Sequence, residues 1–241
     1  MFAPVAGAAS RPGSAGPLRG NFRAVAIVTT TLVSSASAVQ AVIPLSLLEA
    51  LRNLDTPIDD GFSELAHEML SKRLGLSQTV AAQIERYRGA AEREETIPLD
   101  EVVSVFRLVG RRADAALVFA DAGRRTARHA ARRVSAALRA LLRTGPRRVR
   151  LGLGVRTAGR IARRVLNAEL RPDGVMAEAG LSDSLATRAD LAGPGCYFYG
   201  AALAELLRVL AGFEGAMVHE RCRAKGDAGC QWRATEVEGY E

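Results

Sequence analysis

The sequence is poor in cysteine. It contains three, all between positions 196 and 230. Three cysteines cannot all pair with one another within one chain, so their number argues against a framework of disulfides. Because they occur together with a histidine, they are better interpreted as metal ligands in a reducing compartment.

A long, uninterrupted apolar segment is also lacking. Residues 24–48 carry no charge, but threonine, serine and glutamine interrupt them and Pro44 lies near their end. The segment is too polar for a transmembrane helix, although residues 36–38 resemble a small-residue cleavage site. We therefore expect a cytoplasmic protein in which residues 1–41 form a disordered or targeting-like extension. Export or anchoring through residues 24–48 is the alternative.

Catalytic motifs are missing as well. Residues 152–154 read Gly-Leu-Gly, which lacks the third glycine of a dinucleotide-binding loop, and no nucleophile elbow occurs. His67 and His129 are isolated on predicted helices, where surface or packing roles are expected. These absences favour a binding protein over an enzyme.

The positive charge is concentrated in one segment. The 241 residues carry a net charge of +7, whereas residues 107–171 contain 18 arginines, no lysine and three acids, or 18 − 3 = +15. The remainder of the chain therefore carries 7 − 15 = −8. An anionic ligand, a membrane surface or nucleic acid are partners for such a segment, and a solvated arginine face is the alternative. Since no helix-turn-helix pattern is present, we do not expect nucleic acid to be the partner.

The hydrophobic pattern predicts an α+β domain. Hydrophobic residues make up 48% of the chain, enough for a packed core. Apolar residues recur at helical spacing in residues 44–53, 62–74, 101–109, 113–142, 157–170 and 197–210, and in a helix after Ser77. Ser77 and Asp100 are the expected N-caps, residues 92–98 form a linker, and Gly123 permits close helix packing. Short strands are predicted at residues 172–180, 182–189, 216–222 and 230–235. We expect helices packed on a small antiparallel sheet, with residues 42–98 forming a helical N-terminal region.

Cys196, His219, Cys222 and Cys230 have the chemistry of a zinc site. Structural zinc takes four nitrogen or sulfur ligands in a tetrahedron. Cys196 precedes a predicted helix, whose dipole favours a thiolate there, and a hairpin of the last two strands brings the other three residues together. The alternative is a set of three buried core cysteines beside an unrelated histidine.

Two sequence motifs resemble the 4-vinyl reductase domain. They are Gly-Cys-Tyr-Phe-Tyr-Gly at 195–200 and His-Glu-Arg-Cys-Arg-Ala-Lys-Gly-Asp-Ala-Gly-Cys-Gln-Trp at 219–232. That domain occurs in bacteriochlorophyll 4-vinyl reductases, in predicted hydrocarbon-binding proteins and in phenol-sensing activators, and its fold is similar to that of TRAPP vesicle-tethering subunits. In the phenol sensors the corresponding four residues bind zinc. Cys196, Cys222 and Cys230 match the family pattern, while His219 stands where the sensors usually have glutamate. The resemblance covers roughly residues 108–235.

The resemblance implies a ligand-binding domain over residues 99–236, often dimeric, with a structural Zn²⁺ and an apolar pocket beside the hairpin. The candidate pocket residues are Phe106, Phe119, Tyr197, Phe198, Tyr199, Phe213 and Trp232, for which ordinary core packing is the alternative. The expected function is binding of an apolar or tetrapyrrole-like ligand, as an accessory to bacteriochlorophyll biosynthesis. Two alternatives stay open: a sensing or scaffold module that acts on transcription or a partner protein, and a reductase of pigment biosynthesis.

Overall fold

The computed structural model describes residues 38–56, 74–173, 176–191 and 193–236. Within these ranges the protein is α+β, as the sequence predicts, with helices beside small antiparallel sheets. No helix in the described ranges has both the length and the apolarity that a bilayer-spanning segment needs. The predicted helix at residues 62–74 falls almost entirely outside the described residues.

The N-terminal elements form a helical pair beside a two-stranded sheet. Their bounds are β1 Ala38–Gln40, α1 Val42–Asp55, a 3₁₀ turn Leu74–Leu76, α2 Gln78–Glu92 and β2 Thr96–Pro98. The prediction for α1 is confirmed, and so is the cap of α2, because Ser77 Oγ accepts a hydrogen bond from the Val80 N–H at 3.2 Å. The predicted linker at residues 92–98 is wrong in part, since Thr96–Pro98 pairs antiparallel with β1.

Residues 99–161, which include most of the basic segment, fold into four helices. They are α3 Leu99–Gly110, α4 Ala115–Arg132, α5 Ala136–Thr144 and α6 Arg147–Ile161, followed by a π-helical turn Ala162–Leu166. The single helix predicted over residues 113–142 is wrong, because Ser135 accepts from the Leu138 N–H at 3.3 Å and starts a new helix there. The predicted cap Asp100 is also wrong: it lies inside α3, whose N-cap is Pro98.

The C-terminal part contains the larger sheet. Its elements are β3 Glu169–Asp173, β4 Met176–Leu181, α7 Leu185–Arg188, α8 Cys196–Ala211, β5 Gly215–Arg221, a 3₁₀ turn Arg223–Lys225 and β6 Cys230–Glu236. The strand order is β3-β4-β6-β5 and every pair is antiparallel. The predicted hairpin of the last two strands is confirmed. The strand predicted at 182–189 is wrong, because Ser184 Oγ accepts from the Thr187 N–H at 3.0 Å and caps the short helix α7. The helix predicted at 157–170 ends early and gives way to β3 at Glu169.

Helix α8 lies at the centre of the buried core. Two glycines on neighbouring helices bring those helices against its backbone. A Cβ on Gly123 of α4 would lie 2.1 Å from the Phe198 carbonyl oxygen, and one on Gly154 of α6 would lie 2.3 Å from that of Leu210. The expected role of Gly123 in close packing is therefore confirmed. Residues on both sides of position 98 join the same buried cluster, and the division at that position stays a prediction.

Candidate metal centre

Three elements of the C-terminal part bring the four predicted metal ligands together. Cys196 is the first residue of α8, and His219 lies in β5. Cys222 follows β5 directly, and Cys230 is the first residue of β6. A close approach of Gly195 to α7 sets the start of α8, because a Cβ on Gly195 would lie 2.6 Å from the Cβ of Ala186.

The ligand atoms lie close enough together to bind one metal ion, and their spacing is compatible with tetrahedral zinc. The three Sγ atoms and one imidazole nitrogen all lie within 4.8 Å of one another, and Cys196 Sγ is 3.8 Å from Cys222 Sγ. A tetrahedron with Zn–S bonds of about 2.3 Å places two sulfur atoms about 3.8 Å apart. That separation is far longer than a disulfide bond, and all three cysteines are free. The residues fit a zinc ion.

A β-bulge turns His219 and Cys222 to the same side of the hairpin. Side chains alternate along a regular strand, so residues three apart face opposite ways. Here His219 is opposite Trp232 while Arg221 is opposite Gln231, so β5 advances by two residues where β6 advances by one. The extra residue in β5 brings both ligands toward the same point.

The turn after Cys222 is fixed by its own hydrogen bonds. The Cys222 N–H donates to Asp227 Oδ2 at 2.7 Å, and the Cys222 carbonyl accepts from the N–H groups of Lys225 and Asp227 at 2.8 and 3.3 Å. Gly226 has a φ of +102°, a left-handed conformation that favours glycine. The Gly-Asp pair of the motif therefore shapes the backbone that carries Cys222.

His219 presents a buried nitrogen that has no protein partner. Its ring stacks on Trp232 with centroids 4.7 Å apart and an interplanar angle of 12°. Its Nε2 is one of three buried polar side-chain atoms without a hydrogen-bond partner in the described part of the chain. A buried polar nitrogen without a partner is destabilising, and a coordinated cation would satisfy it.

The electrostatics of the site also favour a cation. Burial raises the pKa of the Cys196 thiol, and the thiols of Cys230 and Cys222 act in the same direction. Burial likewise raises the pKa of Cys230. Burial lowers the pKa of His219, and the charge of Lys225 adds to this effect. These shifts disfavour the thiolates of Cys196 and Cys230 and the imidazolium of His219, whereas a divalent ion would stabilise buried thiolates and neutral imidazole.

The seven predicted pocket residues lie in different settings. Five form a continuous buried cluster with ring centroids 5.1 to 6.0 Å apart: Phe106, Phe119, Phe198, Tyr199 and Trp232. Phe213 packs against the edge of the core, and Tyr197 is 59% exposed. The buried five fill the space between α3, α4, α8 and β6, and a role in ligand binding stays a prediction.

A cavity of about 460 Å³ lies between the N-terminal helices and the helices of the basic segment. None of the seven predicted pocket residues lines it. Its walls come from the ends of α2, α4 and α6 and the starts of α1 and α5, and its polar lining includes His129, Thr157 and five arginines. His129 Nε2 also lies 3.4 Å from Glu49 Oε2, in agreement with a packing role. His67 lies outside the described residues.

The sequence carried a partial signal for this cavity. Several of its residues recur three or four positions apart, such as His129 and Arg132 in α4 or Thr157 and Ile161 in α6, which places them on one helix face. Spacing along a helix cannot show that two such faces meet.

No known protein family model, curated protein or solved structure matches the chain.

Proposed function

We propose that the chain is a zinc-stabilised small-molecule-binding protein of the 4-vinyl reductase domain type. The observation that carries this proposal is the Cys₃His cluster, whose four ligand atoms lie within 4.8 Å of one another at the base of the C-terminal hairpin. The motif spacing around these residues supports the family assignment. The proposed ligand is an apolar or tetrapyrrole-like molecule, and the proposed setting is accessory to bacteriochlorophyll biosynthesis in a reducing, cytoplasmic environment.

The role proposed for zinc is structural. Four protein ligands complete a tetrahedron and leave no position for water or substrate. Cys196, Cys222 and Cys230 are all buried. They lie at the start of α8, directly after β5 and at the start of β6, so one ion bound to all three would join that helix to both strands of the hairpin. When bound, zinc would supply a cross-link between elements that are distant in sequence. This is why we propose ligand binding rather than catalysis at the metal.

Support for the ligand-binding half of the proposal comes from the cavity. Its volume of about 460 Å³ lies within the usual range of small-molecule sites, about 300–1,000 Å³. Arginines at its rim have the chemistry to bind the carboxylates of a tetrapyrrole.

The test combines metal analysis with ligand titration of the purified full chain. We expect about one zinc per chain. We also expect a thermal or spectral shift with at least one probe from a panel of Mg-porphyrins and simple aromatics. Cys222→Ser should lose the zinc, because a hydroxyl is a far poorer ligand than a thiolate for this ion.

Glu220→Gln is the matched control, since Glu220 lies in β5 two residues before Cys222, is exposed and does not belong to the cluster. It should retain the zinc. Equal zinc in the wild type and in Cys222→Ser would refute the metal site. No response to any probe would refute the ligand-binding function.

A further inference from the structure

The lining of the cavity is mixed, with apolar side chains beside polar and charged ones. Its apolar walls include the buried side chains of Leu45 and Ala130 and the partly buried side chains of Val134, Leu138 and Ile161. An inorganic ion gains nothing from such walls, whereas an organic body that fills them removes apolar surface from water.

The rim of the cavity is basic, and most of its arginines have partners. Arg88 Nη2 lies 3.2 Å from Glu49 Oε1. Arg133 and Arg164 share one carboxylate, that of Glu94, at 2.8 and 2.6 Å. These three arginines are held in place by acids behind the lining.

Arg132 and Arg160 are different. Both line the cavity and both are exposed, so they stand at its mouth. The side chain of neither residue forms an ion pair or a hydrogen bond with any residue that the structure describes. They come from separate elements, the end of α4 and the end of α6.

The charges around the cavity leave a positive surplus. Five arginines line it, against Glu92 in the lining and the three acids that pair with lining arginines, Glu49, Glu85 and Glu94, which gives 5 − 4 = +1. Because the other three arginines pair with Glu49, Glu85 and Glu94, the surplus is carried by Arg132 and Arg160. Guanidinium groups bind carboxylate and phosphate with paired, charge-assisted hydrogen bonds.

We propose that this cavity binds an anionic amphiphile with an aliphatic body, whose carboxylate or phosphate head is held by Arg132 and Arg160. The inference rests on the proposed ligand-binding function and specifies its ligand class. The described residues that line the cavity include no Phe, Tyr or Trp. Flat bases of a single-stranded nucleic acid would find no stacking platform there, whereas a flexible chain needs none.

The experiment measures binding of decanoate, decyl phosphate and 1-decanol to the full chain by calorimetry. Decanol has the same chain length without the charge. Both anions should bind at least about tenfold more tightly than decanol, since one charge-assisted contact is worth about that factor. In the double variant Arg132→Gln/Arg160→Gln, the affinity for the two anions should fall to that for decanol, while the affinity for decanol should stay the same.

Arg156→Gln is the matched control, because Arg156 is exposed on the same helix as Arg160 but does not line the cavity. It should bind all three probes like the wild type. If the double variant loses helical circular dichroism, Arg160→Gln alone carries the test, with a smaller loss for the anions. Inorganic phosphate should not displace decanoate. Full displacement of decanoate by phosphate would indicate a site for small anions, and it would overturn the proposal of an amphiphilic ligand.

The remaining outcomes separate this inference from the proposed function. If decanoate and decanol bind with equal affinity, and the double variant does not change either affinity, the proposed recognition of an anionic head group is overturned. No binding of any aliphatic probe, with a porphyrin or simple aromatic still bound, would overturn the inference and leave the proposed function standing. Failure of the porphyrins and aromatics as well would overturn both.

Discussion

His219 shows how a single ligand depends on local backbone geometry. The residue type and its nearness to Cys222 were enough to predict it as a metal ligand. Its orientation was not predictable, because regular alternation along a strand would have turned the two side chains apart. The bulge between His219 and Arg221 depends on pairing with β6, which spacing along β5 does not reveal.

The stacking of His219 on Trp232 makes the metal site observable. Trp232 is the single tryptophan of the sequence, and its ring centroid lies 4.7 Å from that of His219. Adding zinc to metal-depleted protein should therefore change the tryptophan fluorescence. In His219→Ala we expect zinc affinity to fall by more than about 100-fold, since loss of even an outer-shell partner costs about 10–100-fold.

His129→Ala serves as the control for that titration. His129 lies among the helices, paired with Glu49, and does not belong to the cluster. It should show the wild-type response. A zinc titration of His219→Ala with the wild-type midpoint would show that the histidine is not a ligand.

At the scale of elements, the packing of α8 depends on glycine in its neighbours. Gly123 is the clearest case, because an added methyl group would lie 2.1 Å from a backbone oxygen of α8, which cannot rotate away. The two helices must therefore separate to accept a side chain. A Cβ added to Gly152 of α6 would have no neighbouring atom within 4 Å. Gly152 is therefore a suitable control position for Gly123.

Replacement of these two glycines by alanine should change the free energy of unfolding in opposite directions. Overpacking is expected to cost Gly123→Ala about 1–3 kcal/mol, more than the helix propensity it gains. Gly152→Ala should stabilise the protein by about 0.5–1 kcal/mol, because alanine favours the helix without a clash. Urea denaturation curves measure both. If Gly123→Ala is as stable as the wild type, α4 and α8 are not in the contact described.

The elements that the sequence predicted well have signals that agree with one another. In α8, a long apolar run begins beside Cys196 and ends at Ala211, just before Gly212, and the hairpin has alternation on both sides of a glycine-rich turn. Errors arose where a serine cap competed with periodicity. Ser135 divides a region whose apolar spacing is continuous, and Ser184 starts a helix within a segment that otherwise reads as a strand.

For the whole molecule, the proposed zinc joins the hairpin to the helices. Removal of the ion by a strong chelator should destabilise the protein by an amount on the order of several kcal/mol. The loss should begin in β5 and β6, because α4 and α8 retain their own packing around the aromatic cluster. Hydrogen exchange of the backbone amides measures this loss of structure strand by strand.

In that experiment the amides of β5 and β6 should lose protection on chelation, while those of α4 keep most of theirs. Readdition of zinc should restore the hairpin. Unchanged exchange in both strands after complete metal removal would show that the hairpin does not depend on the ion.

The distribution of charge is a further property of the whole molecule that the sequence revealed only in part. The surplus of +15 over residues 107–171 was plain from composition. That two of these arginines, Arg132 and Arg160, line the same cavity depends on the turn at Ser135 and on the packing of α6. Such convergence is tertiary, and no spacing along the chain encodes it.

The order of the larger sheet gives its two edges different susceptibilities to association. At one edge, Pro172 in β3 lacks an N–H group, which hinders any further strand from pairing there. At the other edge lies β5, seven residues long, with Val218 47% exposed and no strand beyond it among the described residues. An extended segment from a second molecule would find hydrogen-bonding groups on this side. If the hairpin binds zinc as proposed, loss of the ion would loosen it and present more of these groups, so metal starvation in a cell would become a route to aggregation.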